Sequence, residues 1–198
     1  MLHSFEIGDK IFALLVEIDE GIGERVRAVG CILCGGPLHR GDYPRKPRGG
    51  LLAVAGEFFS RRISLCCGRD GCRHRATPPS VRFLGRRVYL GVAVVMASML
   101  SRAVRSPREV ERTTGIPSRT VARWRAWWET GFVQSRLYQE ERGRFMPPLE
   151  IEALPGSLVE RFLGVGVTAA MALVRTLGFL APLTTTSVPG GSRFLRVQ

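Results

Sequence analysis

The stretch SPREVERTTGIPSRTVARW, residues 106–124, decides how this chain reads. Ser106 followed three places later by Glu109 makes a capping box, and Pro107 holds the favoured first helical position. A short helix is therefore expected over 107–113. Gly115 ends it where the backbone needs a left-handed residue. Ile116 plugs the turn, and Pro117-Ser118 opens a second helix over 118–129. Val110, Ile116, Val121 and Trp124 are expected to form the small core between the two, with Trp128 continuing the buried face. Ser118, Arg119, Ala122 and Arg123 then face away from it. A preceding helical period over 89–101 completes a three-helix unit.

Outward from this unit, the most specific motif is Cys31-Ile32-Leu33-Cys34-Gly35-Gly36. Two thiolates with two residues between them reach one metal ion from a tight turn, and glycine after the second lets backbone amides bend towards sulfur. A second group follows in Cys66-Cys67-Gly68-Arg69-Asp70-Gly71-Cys72. Tetrahedral zinc takes four ligands, so one of the five cysteines is surplus. Cys31, Cys34, Cys67 and Cys72 are the expected set, because Cys67 continues the parity of Ile63 and Leu65. Cys66 is the alternative, and His74 is a possible nitrogen ligand in place of either. All four positions would come from protein, which marks a structural Zn2+ site with none left open for substrate. The segment between is rich in Gly, Pro and Arg, with short alternations that read as small strands. Metal binding would supply much of its stability.

The expected architecture is mainly α with a small β zinc ribbon, a three-helix helix-turn-helix unit, and packing helices at both ends. The segments are 1–28, an amphipathic helix; 29–80, the ribbon; 84–130, the helical unit; 131–156, a linker around Met146-Pro147-Pro148; and 157–198, an apolar helix over 157–180 with a tail. The stripe Leu158, Phe162, Val165, Ala169, Ala172, Leu173, Leu177 and Leu180 would pack on the N-terminal helix or join two copies as a homodimer. Residues 162–183 are long enough to span a bilayer, but Arg175 and several glycines interrupt them. A packed helix is the better reading.

The formal charge is +12. Residues 1–27 hold six acids against three bases, which leaves about +15 on the remainder. Such a field attracts polyanions; Arg outnumbers Lys 27 to 2, and coding bias in a GC-rich genome is the alternative source of that excess. Arg45, Lys46, Arg48, Arg61, Arg62, Arg69, Arg73 and Arg75 would make a basic surface on the ribbon. On the second helix, Arg119 and Arg123 are candidates for guanine edges or phosphates, with Ser118 and Thr120 beside them. Arg108 and Arg125 would meet the sugar–phosphate backbone. No basic and apolar leader is visible at the N-terminus, so a cytoplasmic, reducing location is expected, where cysteines bind metal rather than pair.

GIPSRTVARW, residues 115–124, resembles the homeodomain-like helix-turn-helix of transposases and their associated proteins, in which a Gly-apolar-Ser turn leads into a Thr-apolar-x-Arg-Trp helix. The Cys-x-x-Cys-Gly ribbon ahead of it is similar to those of insertion-sequence proteins. The resemblance covers residues 31–130. It departs from the pattern at Pro117, where Ser is usual, and at Glu111, where a small residue commonly packs. It implies a bacterial, transposition-related protein that reads double-stranded DNA. A host transcription regulator of the same architecture, or an RNA- or protein-docking adaptor, are the other readings. Catalysis is not expected. No Asp follows Asp70 and no His follows His74, so neither an acidic triad for two-metal strand transfer nor a tyrosine-recombinase cluster can be assembled. No small-molecule substrate is expected either.

Overall fold

The computed structural model describes residues 9–45, 59–84, 89–103 and 106–185. The chain begins with helix α1, Asp9–Val29. Its apolar residues recur at three- and four-residue steps, and Phe12, Leu15 and Ile22 are buried almost completely. Five short strands follow: β1 Leu38–Arg40, β2 Tyr43–Pro44, β3 Arg61–Arg62, β4 Leu65–Cys67 and β5 Arg75–Ala76. Strands β1, β4 and β5 form an antiparallel sheet with β4 in the centre, and β2 pairs separately with β3. A hairpin of β6, Phe83–Leu84, and β7, Tyr89–Leu90, then leads into the helices.

Helix α2 runs Gly91–Ala103, α3 Pro107–Thr114 and α4 Ser118–Trp127. The third of these continues through a π-helical turn, Trp128–Phe132. Val110, Ile116, Val121, Trp124 and Trp128 are all buried, as the spacing predicts. Gly115 adopts φ 65°, and its amide donates to the Glu111 carbonyl at 2.8 Å. Trp128 Nε1 donates to Ser98 Oγ at 3.1 Å, which satisfies an indole that is otherwise wholly enclosed. The capping box does not form in the expected way. Ser106 occupies the N-cap with extended backbone, but its hydroxyl makes no cap hydrogen bond.

Beyond residue 130 the structure departs further from the sequence reading. Within residues 131–156, expected as a linker, Phe132, Tyr138, Leu149 and Leu154 are buried in the main core, and Leu137 is buried outside it. Helix α5, Arg136–Glu141, lies within this stretch, capped by Ser135 Oγ accepting from the Tyr138 amide. The apolar run after it is two helices, α6 Gly156–Arg161 and α7 Ala169–Leu180. Gly166 at φ 77° turns the chain between them, and Thr168 Oγ1 starts the second by accepting from the Met171 amide at 3.2 Å. Val165, expected on the buried stripe, lies on that connection and is fully exposed. Helix α7 packs against α1 and α2. No helix among the described residues is long and apolar enough to cross a membrane.

Two apolar clusters result. The larger draws on α1, the β6–β7 hairpin and the helices from α2 to α7. The smaller comprises Val26, Cys31, Leu38, Leu65, Cys67 and Ala76. Helix α1 serves both, sending its last turn into the smaller one. Sequence patterning missed a polar joint beside this division. Asp19, 1% exposed, accepts from Ser80 Oγ at 2.5 Å, the Val81 amide at 2.7 Å and Arg82 Nε at 2.7 Å. Arg62, read as part of the basic surface, is likewise buried, with its guanidinium over the Phe83 ring at 5.9 Å. It donates to the Pro78 carbonyl at 2.6 Å, and burial holds its pKa below the ordinary arginine value.

Candidate metal centre and basic helix face

Four thiols converge where α1 ends and the central sheet begins. Cys31 and Cys34 come from the turn after α1, Cys67 from the end of β4, and Cys72 from the loop towards β5. Their sulfur atoms all lie within 4.8 Å of one another. Cys31 and Cys72 are 3.8 Å apart, and Cys34 and Cys67 3.4 Å. Tetrahedral zinc with Zn–S bonds of about 2.3 Å sets sulfur–sulfur separations of about 3.8 Å. The group therefore has the size and donor chemistry of a zinc site.

The parity argument for Cys67 agrees with the geometry. On β4, Leu65 and Cys67 face the small core, while Cys66 points the other way. Its Sγ lies 3.8 Å from the carbonyls of Cys67 and Arg73 and is not among the four. His74 is also outside the group, and its Nε2 is buried without a hydrogen-bond partner.

What spacing alone did not reveal is how the backbone serves the sulfurs. Amides two residues beyond three of the cysteines face them: Gly36 to Cys34, Arg69 to Cys67 and His74 to Cys72. The Gly36 amide is the main reason the Cys34 thiol falls to about 7. At Cys67 the Arg69 amide also lowers the pKa, but burial and the neighbouring thiols outweigh it and push the thiol up to about 12. In Cys72 the His74 amide is outweighed in the same way, and the pKa rises. Four sulfurs this close cannot all ionise unless a cation joins them.

Each turn uses the same device. The residue after the second cysteine is left-handed, Gly35 at φ 68° and Arg73 at φ 46°, which aims the next amide back at sulfur. Arginine pays a steric cost there that glycine does not. Arg69 adds a tie between the turns, donating Nη1 to the Cys34 carbonyl at 2.7 Å.

The second candidate region is α4. Arg119, Ala122, Arg123 and Ala126 form one exposed face, while Thr120, Val121 and Trp124 turn inward. Thr120, expected among the contacting residues, is only 6% exposed. Its hydroxyl accepts from Arg123 Nη2 at 3.2 Å, so it holds a basic side chain instead of presenting itself. Ser118 is half-buried, Arg125 is exposed to one side, and Arg108 is exposed on α3. Of the basic residues expected on the ribbon surface, Arg61, Arg69, Arg73 and Arg75 are exposed and Arg45 is half-buried; Lys46 and Arg48 lie outside the described residues.

Glu111 and Pro117, the two departures from the resembled pattern, turn out to be coupled. Pro117 occupies the N-cap of α4 and offers no side-chain acceptor. Glu111 Oε2 accepts from the Ser118 amide at 3.2 Å, which places a carboxylate where a capping hydroxyl would otherwise serve.

Neither a known family model nor any curated protein or solved structure matches this chain.

Proposed function

We propose that this chain is a non-catalytic, zinc-containing protein that binds double-stranded DNA through α4. One observation carries the reading: Arg119 and Arg123 stand on an exposed helical face whose reverse side is anchored by Val121, Trp124 and Trp128. A short helix held this way behind α3, with a left-handed glycine between them, is how a helix-turn-helix offers side chains to the major groove. The two arginines suit guanine edges, and Arg108 and Arg125 suit phosphates on either side. Zn2+ on Cys31, Cys34, Cys67 and Cys72 would cross-link the two turns and hold the small sheet against α1. Thiolates committed to a metal suit a reducing compartment such as the cytoplasm. The association with a mobile element rests on the resemblance of residues 31–130 alone.

The test is binding of the zinc-loaded protein to random duplex DNA across a salt series, beside the Arg119→Ala/Arg123→Ala variant. Each phosphate contact contributes about 0.9 to the slope of log affinity against log salt. The variant is expected to bind much more weakly and, if both arginines meet phosphate, to lose about two units of slope. Equal binding by both proteins would refute the reading and turn attention to the ribbon arginines.

A further inference from the structure

A groove of about 980 Å³ opens beside the end of α2. Its apolar lining includes Met99, Ile151 and Ala153, and Ile151 is 40% exposed. Glu150, Glu152 and Glu160 stand around it, all exposed, and none makes an ion pair among the described residues. The cation of the lining is Arg102, whose charge is already answered. It donates to Glu129 Oε1 at 2.8 Å and to the Leu154 carbonyl at 2.7 Å. A chain of formal charge +12 thus carries a recess that is apolar within and negative at the rim. Such a rim repels phosphate, so nucleic acid is excluded here by the same electrostatics that attract it elsewhere.

We propose that this groove docks a basic peptide segment of a partner protein, one that alternates apolar and arginine or lysine side chains. The volume lies at the upper end of the range for ligand pockets, about 300–1,000 Å³, which leaves room for several residues of extended chain. Apolar side chains of the peptide meet Ile151 and Met99. Its arginines or lysines lay their methylene stems along the same floor and carry their charge out to the three glutamates. The Arg102–Glu129 pair places the groove near the far end of the α4 region, about 15 Å along a helix axis from Arg119. A partner seated here leaves the proposed DNA face open. Occupation of this groove is independent of DNA binding.

The probe is a fluorescent hexapeptide of alternating leucine and arginine, titrated with the full zinc-loaded chain at physiological salt and read by anisotropy. A glycine–arginine hexapeptide of equal charge is the control. The leucine peptide is expected to bind roughly tenfold tighter than the control, a difference of about 1.4 kcal/mol. Glu152→Gln/Glu160→Gln is expected to weaken binding of the leucine peptide by a similar factor, and Ile151→Ser to remove its advantage over the control. These side chains are exposed and lie off α4, so melting temperature should be nearly unchanged and duplex DNA affinity should not fall in either variant. Equal affinity for the two peptides, or an unaltered affinity in the glutamine variant, would overturn the proposal. So would self-association of the wild-type chain that these variants abolish, because the occupant would then be a second copy.

Discussion

Asp19 and Glu20 are neighbours on α1 with opposite surroundings, and replacing each with alanine should separate buried from exposed electrostatics within one helix. Asp19 is sealed against Arg82, the pair being 0% and 4% exposed by side chain at 2.7 Å. Removing the carboxylate takes the Asp19 counter-charge from a buried guanidinium, which costs about 3–5 kcal/mol, and deprives the Val81 amide of its acceptor, about 1 kcal/mol more. The expected loss is therefore about 4–6 kcal/mol, a large part of the roughly 5–15 kcal/mol that holds a domain together. At about 2–4 °C per kcal/mol for a chain of this size, melting should fall by roughly 10–20 °C. Glu20 grips Arg40 of β1 through two hydrogen bonds, at 2.6 and 2.7 Å, but those side chains are 41% and 46% exposed. An exposed pair contributes about 1 kcal/mol or less, so Glu20→Ala should barely register. Urea unfolding of the zinc-saturated proteins, with equal slopes required for comparison, reads both values. Should Asp19→Ala cost less than about 1 kcal/mol, or no more than Glu20→Ala, the buried joint does not hold the fold as described.

Three further outcomes are expected. Arg73→Gly should preserve metal binding and raise stability by up to about 1 kcal/mol, because it relieves a left-handed arginine. Gly35→Ala should cost about 1–2 kcal/mol, and thermal melts of both loaded proteins would show the opposite signs. Native mass spectrometry should find one zinc per chain in wild type and in Cys66→Ser. Cys34→Ser should lose metal affinity by more than the roughly 10–100-fold typical of outer-shell changes. Finally, Glu111→Ala should reduce stability by about 0.5 kcal/mol through the lost cap on α4, and introducing serine at position 117 should recover it, as judged by chemical unfolding.

The parts of the molecule that could be read in advance are those in which cause and effect lie close together along the chain. Pro107, Gly115 and the spacing of Val121, Trp124 and Trp128 act within a turn or two, and they place α3, α4 and the buried face between them. Cys31 and Cys34 announce a metal turn through their own chemistry, and the alternation of Ile63, Leu65 and Cys67 chose between adjacent cysteines. Long-range partners left no such trace. Nothing local marks Asp19 as the acceptor for Ser80 and Arg82, some sixty residues away, or Arg62 as a buried cation and not a surface one. In the C-terminal third the signals were present but were outvoted. Gly164, Gly166 and Thr168 mark the break between α6 and α7, yet the apolar composition around them reads as one continuous helix. Residues 131–156 read as a spacer because prolines dominate locally, while the isolated residues Leu149 and Leu154 that fill the core carry no periodic pattern.

Helix α1 enters the larger apolar cluster with Phe12, Leu15 and Ile22 and the smaller one with Val26. Its backbone amides should therefore work as a gauge with two scales. Towards Phe12 they exchange with solvent only when the helical core opens; towards Val26 their protection follows the occupancy of the thiol site. Chelation would then fray the helix from Val29 backwards, turn by turn, until the Asp19 carboxylate acts as a latch and stops the unravelling. If Zn2+ sits on the four thiols as proposed, its removal would loosen the small sheet and leave α4 in place, with the boundary between the two states drawn inside a single helix.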